Sequence, residues 1–171
     1  MSSSYLPQIR GALLILGLLA SFLLFILLFG YTIVFADAVD VNGDPVTRLY
    51  VKEGGTGDGS SWEEAAGDLS QLMANTYPSL HSKYEIWVAK GTYYPGYGFS
   101  ADVRDRVFPL KNFMSIYGGF AGNENPGTTA EEVRQVLEQR DLEQYETILS
   151  GDLGIPNDPS DNAYHLFKLE G

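Results

Sequence analysis

Short apolar runs that stop on glycine dominate the second half of this chain. Tyr84-Glu85-Ile86-Trp87-Val88-Ala89 ends at Lys90-Gly91, and Met114-Ser115-Ile116-Tyr117 ends at the paired glycines Gly118 and Gly119. Thr147-Ile148-Leu149-Ser150 stops at Gly151, and a last run from His165 to Glu170 stops at Gly171. Brief runs rich in β-branched and aromatic residues, bounded by glycine, predict strands. Their recurrence with irregular loops between them predicts the successive coils of a β-solenoid. The spacing of Ile86, Ile116, Ile148 and Leu166 is uneven, which a solenoid tolerates because only the core strands of each coil need register. Leu49-Tyr50-Val51 is an earlier short strand.

Two helices are predicted among these strands. Ser60 with Glu63, or Ser61 with Glu64, has capping-box spacing. Trp62, Ala65, Ala66, Leu69, Leu72 and Met73 follow at helical spacing and make one apolar face. A helix of about four turns is expected there, laid as a lid over the open end of the strand stack. The second helix runs from about Thr129 to Gln139, capped by Thr128 or Thr129 with Glu131 and Glu132 in its first turn. Its thin apolar content (Val133, Val136, Leu137) predicts a surface excursion between coils.

The N-terminus has a different pattern. Arg10 is the one basic residue before a nearly unbroken apolar block, 12–35, and Ala36-Asp37-Ala38 supplies the small-x-small exit that signal peptidase reads. Residues 1–38 are therefore expected to be a signal peptide cleaved at Ala36 and Ala38. The block is also long enough to cross a bilayer as an uncleaved anchor, the only membrane contact implied. Either way the rest of the chain is exported, to the cell surface or the extracellular space. Residues 39–48 read as a linker and 49–171 as the folded part, truncated from a longer solenoid or capped by a partner at its C-terminal end.

The formal net charge of −11 is carried by the exported part, since Arg10 and Asp37 cancel. No basic patch exists to neutralise phosphates, so nucleic acid is not a partner. The same charge repels a polyanion such as pectate unless a cation bridges the two. Cysteine is absent, which excludes a disulfide scaffold and leaves the fold to its apolar core or bound ions.

A resemblance rests on four pieces in order: Tyr50-Val51-Lys52 with Gly57-Asp58-Gly59-Ser60-Ser61-Trp62-Glu63-Glu64-Ala65; Ile86-Trp87-Val88-Ala89-Lys90-Gly91-Thr92-Tyr93-Tyr94-Pro95; Ile116-Tyr117-Gly118-Gly119-Phe120-Ala121-Gly122-Asn123-Glu124; and Thr147-Ile148-Leu149-Ser150-Gly151-Asp152. Together they resemble the N-terminal cap and first coils of exported bacterial right-handed parallel β-helix proteins of the pectin-lyase-like superfamily. The resemblance implies an all-β solenoid with an N-terminal capping helix. It also implies either a non-catalytic, adhesin-like surface module or the front part of a polysaccharide lyase or glycoside hydrolase whose catalytic coils lie downstream.

Candidate chemistry is sparse. Tyr93, Tyr94 and Tyr97, with Phe99, could offer aromatic faces to sugar rings, against the plainer expectation that clustered aromatics pack under their own loop. Asp152, Asp158 and Asp161, with Asn157 and Asn162, concentrate oxygen ligands suited to Ca²⁺, although Asp, Asn and Pro are also ordinary turn residues. No other cofactor is implied. Gly54–Gly59 lacks the last glycine of a dinucleotide fingerprint and the lysine of a P-loop, so it reads as a turn. Arg104, Arg106 and Lys111 sit among Asp102 and Asp105 as a solvated, internally paired loop. His81 and His165 have no ligand companions, and no catalytic residue is assigned.

Overall fold

A computed structural model of the chain describes residues 38–98 and 100–170. Among these the chain is strand-rich, with two short α-helices and no closed barrel. The strands are β1 (Val46–Val51), β2 (Lys83–Ala89), β3 (Gly91–Tyr93), β4 (Phe108–Lys111), β5 (Met114–Phe120), β6 (Thr147–Leu149) and β7 (Phe167–Glu170). The helices are α1 (Leu69–Asn75) and α2 (Ala130–Glu138). Every ladder between these strands is parallel. One sheet has the order β1-β2-β5, a second pairs β3 with β6, and a third pairs β4 with β7. From β2 onward the chain visits the three sheets in turn, then visits them again in the same order.

That order explains the uneven spacing of the apolar runs. Ile116 pairs with Ile86, as expected of equivalent strands. Ile148, however, pairs with Thr92 in the second sheet, and Phe167 pairs with Phe108 in the third. The four runs therefore do not form one stack. The strands they pair with, β3 and β4, escape periodicity because β3 has three residues and β4 carries Pro109. A proline removes a ladder donor, and it is tolerated here in a strand with a partner on one side only.

The paired glycines have a specific task. Trp87 pairs with Tyr117 but Ala89 pairs with Phe120, so one extra residue is absorbed at Gly118-Gly119. Gly119 has φ +84°, a conformation natural to glycine in a bulge. The shift places Phe120 flat against Trp87, with ring centroids 4.6 Å apart and an interplanar angle of 10°.

Side chains of β2 alternate between two apolar cores, as a strand's period of two requires. Ile86 and Val88 join Val51, Leu69, Met73, Tyr93, Phe108 and Met114 in the first. Trp87 and Ala89 join Tyr50, Trp62, Ala65, Phe120 and Val133 in the second. α1 contributes to the first core through Leu69 and Met73, and its C-terminal carbonyls are gathered by one lysine. Lys111 Nζ donates to Met73, Ala74 and Thr76 carbonyls at 3.1, 2.8 and 2.7 Å, where a cation is favoured.

The expected four-turn helix does not form from Ser60. The helix begins after Asp68, whose side chain accepts the Gln71 N–H. Ser61 Oγ does accept the Glu64 N–H at 3.2 Å, but the next residues are recruited by β1. Ala66 N–H donates to the Tyr50 carbonyl, and Lys52 N–H donates to the Ala66 carbonyl, both at 3.0 Å. Backbone lies directly on backbone here, since a Cβ at Gly57 would strike the Glu64 carbonyl and one at Gly67 the Gly55 carbonyl. Trp62 and Ala65 consequently face the second core, away from α1. By contrast α2 matches expectation, with a complete capping box between Thr129 and Glu132. It sits deeper than a surface excursion, because Val133 is fully buried and Val136 and Leu137 pack on the second core.

The segment expected as a linker also enters the fold. Val39 bridges Pro45, β1 begins at Val46, and Arg48 pairs with Glu85 across the sheet. Both side chains are buried on the face of the second core. Arg48 Nη2 and Nε donate to Glu85 Oε2 at 2.8 and 3.1 Å, Nη2 also reaches the Val39 carbonyl at 2.6 Å, and the guanidinium lies 4.3 Å from the Trp87 ring. Burial raises the Glu85 carboxyl above its ordinary value, opposed by the hydrogen bonds and charge of Arg48.

Replacing Arg48 by Met strands that carboxylate, and a loss of about 3–5 kcal/mol is expected in urea unfolding at pH 7.5. Without Arg48 the folded-state pKa of Glu85 climbs further above the unfolded one. Protonation then favours the folded state, so the penalty shrinks as pH falls toward the unfolded carboxyl's value of 4.5. The pair Arg48→Met with Glu85→Leu recovers most of the loss. An equal penalty at both pH values would place its source elsewhere.

Candidate functional site

Parallel pairing stacks the turns that follow the strands, and one such stack forms a cleft. Lys52-Glu53 follow β1, Lys90 joins β2 to β3, Ala121 follows β5, and Glu143, Gln144 and Glu146 precede β6. Lys90 N–H donates to the Phe120 carbonyl at 2.8 Å and Gly91 N–H to the Glu146 carbonyl at 3.1 Å, holding the turns together. These residues line a cleft of about 560 Å³. A smaller hollow of about 220 Å³ is lined by Glu53, Asp68, Thr92, Tyr93 and Tyr94, among others, so Glu53 belongs to both. The glycine at position 91 is required at this corner: it has φ +145°, and a Cβ would sit 3.1 Å from Glu53 Oε2.

The paired hollows carry four carboxylates (Glu53, Asp68, Glu143, Glu146) and two lysines. Lys52 is already engaged, donating from Nζ to the Trp62 carbonyl at 2.7 Å, and Lys90 Nζ lies 5.8 Å from the Tyr145 ring centre. The excess of acceptors beside an exposed aromatic, Tyr94, suits hydrogen bonding to hydroxyls with a ring laid on the phenol face. The same excess disfavours a polyanion.

The three tyrosines expected to share a sugar platform are separated. Tyr93 is 4% exposed and lies in the first core, its hydroxyl donating to the Ala89 carbonyl at 3.0 Å; burial pushes its pKa up to about 12. Tyr94, just past the end of β3, is 50% exposed. Tyr97 is half-buried further along, its N–H held by Ser70 Oγ at 2.9 Å, and it bridges Val107. Phe99 lies outside the described residues, as do Ala36 and the apolar block 12–35. Ala38 lies at the start of the described residues, and its carbonyl accepts the Val46 N–H at 2.8 Å. No helix among the described residues is long and apolar enough to cross a membrane.

The acidic loop keeps its aspartates apart in role. The Ser160 side chain, and then the Ser160 N–H that Asp158 accepts at 2.9 Å, hold the Asp158 carboxyl below the usual range. Asp152 accepts from Asn157 and Asp161 from Ile155. No group of three or more His, Cys, Asp or Glu side chains able to hold a metal occurs among the described residues. The basic cluster is dispersed. Arg104 Nε donates to the Asn162 carbonyl at 2.8 Å and the guanidinium stacks 4.2 Å from the Tyr164 ring, while Lys111 serves α1. His81 and His165 are exposed.

Glu53, Asp68, Glu143 and Glu146 carry no local signal in the sequence, since only the parallel register brings them together. Compared with known proteins, the chain matches no family model, no curated protein and no solved structure.

Tyr93→Phe is expected to lower stability by about 1 kcal/mol through the lost hydrogen bond. Tyr94→Ala, being exposed, should stay within about 0.5 kcal/mol of the parent. Thermal unfolding of the two variants distinguishes a structural tyrosine from one free to meet a ligand.

Proposed function

We propose that the exported part is the N-terminal cap and first coils of a right-handed parallel β-helix of the pectin-lyase-like kind. It serves as a non-catalytic, adhesin-like surface module that touches glycans through the Tyr94 hollow. The observation that carries the reading is the pair of successive visits to three parallel sheets in one order, which is the pattern of a three-sided solenoid coil. β5, β6 and β7 each have a strand partner on one side, with Ile148 and Leu169 exposed on two of them. Such an end accepts further coils or a partner chain by strand addition. Anchoring or release at the cell surface follows from the N-terminal apolar block.

The glycan is neutral or amine-bearing, because four carboxylates at the hollows would repel uronate chains. Affinity electrophoresis through gels containing neutral, amino or acidic polysaccharides tests this. The expected result is retardation by a neutral or amino polymer, abolished by Tyr94→Ala, without release of new reducing ends. Chain cleavage would instead favour the polysaccharide-degrading alternative.

The solenoid order has its own test, made clean by the absence of native cysteine. Cysteines replacing Thr92 and Ile148, or Leu110 and Leu169, occupy paired positions in the second and third sheets. Neighbouring strands lie about 4.8 Å apart, within disulfide reach. Each pair is expected to oxidise within one chain, as read by mass spectrometry. Failure of both would overturn the order.

A further inference from the structure

The outward stripe of α1 borders a groove that adjoins the Tyr94 hollow. Leu69, Ser70, Met73 and Ala74 take the buried face of this helix. Helical spacing therefore puts Gln71, Leu72 and Asn75 on the other face, below Asp68 at the helix start. These four residues line a groove of about 890 Å³. It is also lined by the glycine loop 54–58, by Thr47 and Leu49 of β1, and by Tyr77 and Tyr84. Val51 is buried further along β1, but Thr47 is exposed and Leu49 half-buried, so the sheet is open here. Thr47 pairs with Tyr84 in the neighbouring strand. Gly67 and Asp68 line both the groove and the Tyr94 hollow, so the two share an edge.

The lining joins apolar surface to groups that suit sugar hydroxyls. Leu49 and Leu72 are partly buried and pack on the first core. The exposed side-chain amides of Gln71 and Asn75 have no hydrogen-bond partner among the described residues. Tyr77 is 77% exposed, with Lys111 Nζ 4.9 Å from its ring centre. Phenol faces beside unengaged amides offer a saccharide both an apolar surface and hydroxyl partners, and the volume lies in the range of small-ligand sites. The charge is one-sided. Asp58, Asp68 and Glu53 line the groove or the hollow, and no Lys, Arg or His among the described residues lines either. The Ser60 side chain, and then its N–H, hold the Asp58 carboxyl below the usual range.

We propose that this groove and the Tyr94 hollow form one extended site for an amine-bearing polysaccharide, which lies across both as an internal stretch of chain. The proposal rests on the glycan reading above and narrows it from neutral or amine-bearing sugars to the amine-bearing class. Three carboxylates without an opposing cation attract ammonium groups spaced along a polymer, whereas a neutral chain gains hydrogen bonds alone. Length matters as much as charge. A short sugar meets the hollow or the groove, but a longer chain held at one reaches the other across Asp68. The second contact is then intramolecular and adds affinity without any new kind of interaction. Gln71, Asn75 and Tyr77 are the residues through which the groove adds to the Tyr94 contact.

The test is titration calorimetry of the full chain with glucosamine oligomers of increasing length at about pH 5.5, where amines are protonated. The N-acetylated oligomers serve as the uncharged comparison. Affinity is expected to rise at least about tenfold from the shortest oligomer to the longer ones and to weaken as salt is added. N-acetylated oligomers of equal length should bind about tenfold more weakly, the difference between charged and neutral hydrogen bonds. Gln71→Ala combined with Asn75→Ala keeps α1 helical and should weaken the longer oligomers about tenfold, as two lost hydrogen bonds predict. Tyr94→Ala should weaken short and long oligomers alike. Binding that depends on Tyr94 but gains nothing with length, and loses nothing in the α1 variant, would overturn the extended site and leave the Tyr94 reading standing. Loss in the α1 variant with Tyr94→Ala unchanged would overturn the joined site through failure of the hollow. Equal affinity for the N-acetylated oligomers would overturn the amine assignment, and absence of binding at every length would overturn both readings.

Discussion

Strand β2 is buried on both faces, and most of the described structure answers to that constraint. A parallel strand with Ile86 and Val88 on one side and Trp87 and Ala89 on the other cannot leave either side in water. The first side is closed by α1 and by the strands of the other two sheets. The second is closed by the Trp62 turn and by α2, two elements far apart in the chain that meet over Trp87. Each covering element is short because each need only supply a few apolar side chains.

Covering the second face brings a polar cost with it. Glu85 lies in the same strand as Trp87 and on the same face, so its carboxylate is buried whenever the sheet is. Arg48 meets it from the neighbouring strand and stacks on Trp87 as well. The ion pair therefore fixes which residue of β1 lies beside which residue of β2. A slip of one position would expose the apolar set and separate the charges at once. The Gly118-Gly119 bulge serves the same face, since it brings Phe120 into register with the Trp87 ring.

The functional candidates are products of this stacking. The acidic cleft exists because the turns after β1, β2 and β5 lie one above another, with Glu143–Glu146 leading into the next strand. Its excess of acceptors is a local expression of the chain's acidic balance. The cleft does not resemble the aromatic cluster that the sequence first suggests, because Tyr93 turns inward from β3 while Tyr94, just past the end of that strand, stays exposed.

Local chemistry in the sequence was enough to determine the short apolar strands, the equivalence of Ile86 and Ile116, and the capping box of α2, although β5 does not stop at Gly118-Gly119 but runs through them to Phe120. In each case the decisive groups are within a few residues of one another, or the pattern repeats. The sequence also carried the acidity that governs which ligands are admissible. Tertiary structure alone decided that residues 60–67 join β1 rather than a helix, because the Ala66 N–H donates to the Tyr50 carbonyl while the Glu64 and Ala65 carbonyls accept from Gly59 and Gly57. It likewise decided that residues 46–48 belong to the sheet, that Ile148 pairs with Thr92, and that Glu53 and Glu146 line one cleft. These outcomes depend on partners dozens of residues away, and no periodicity within a segment reports which distant backbone will claim its hydrogen bonds.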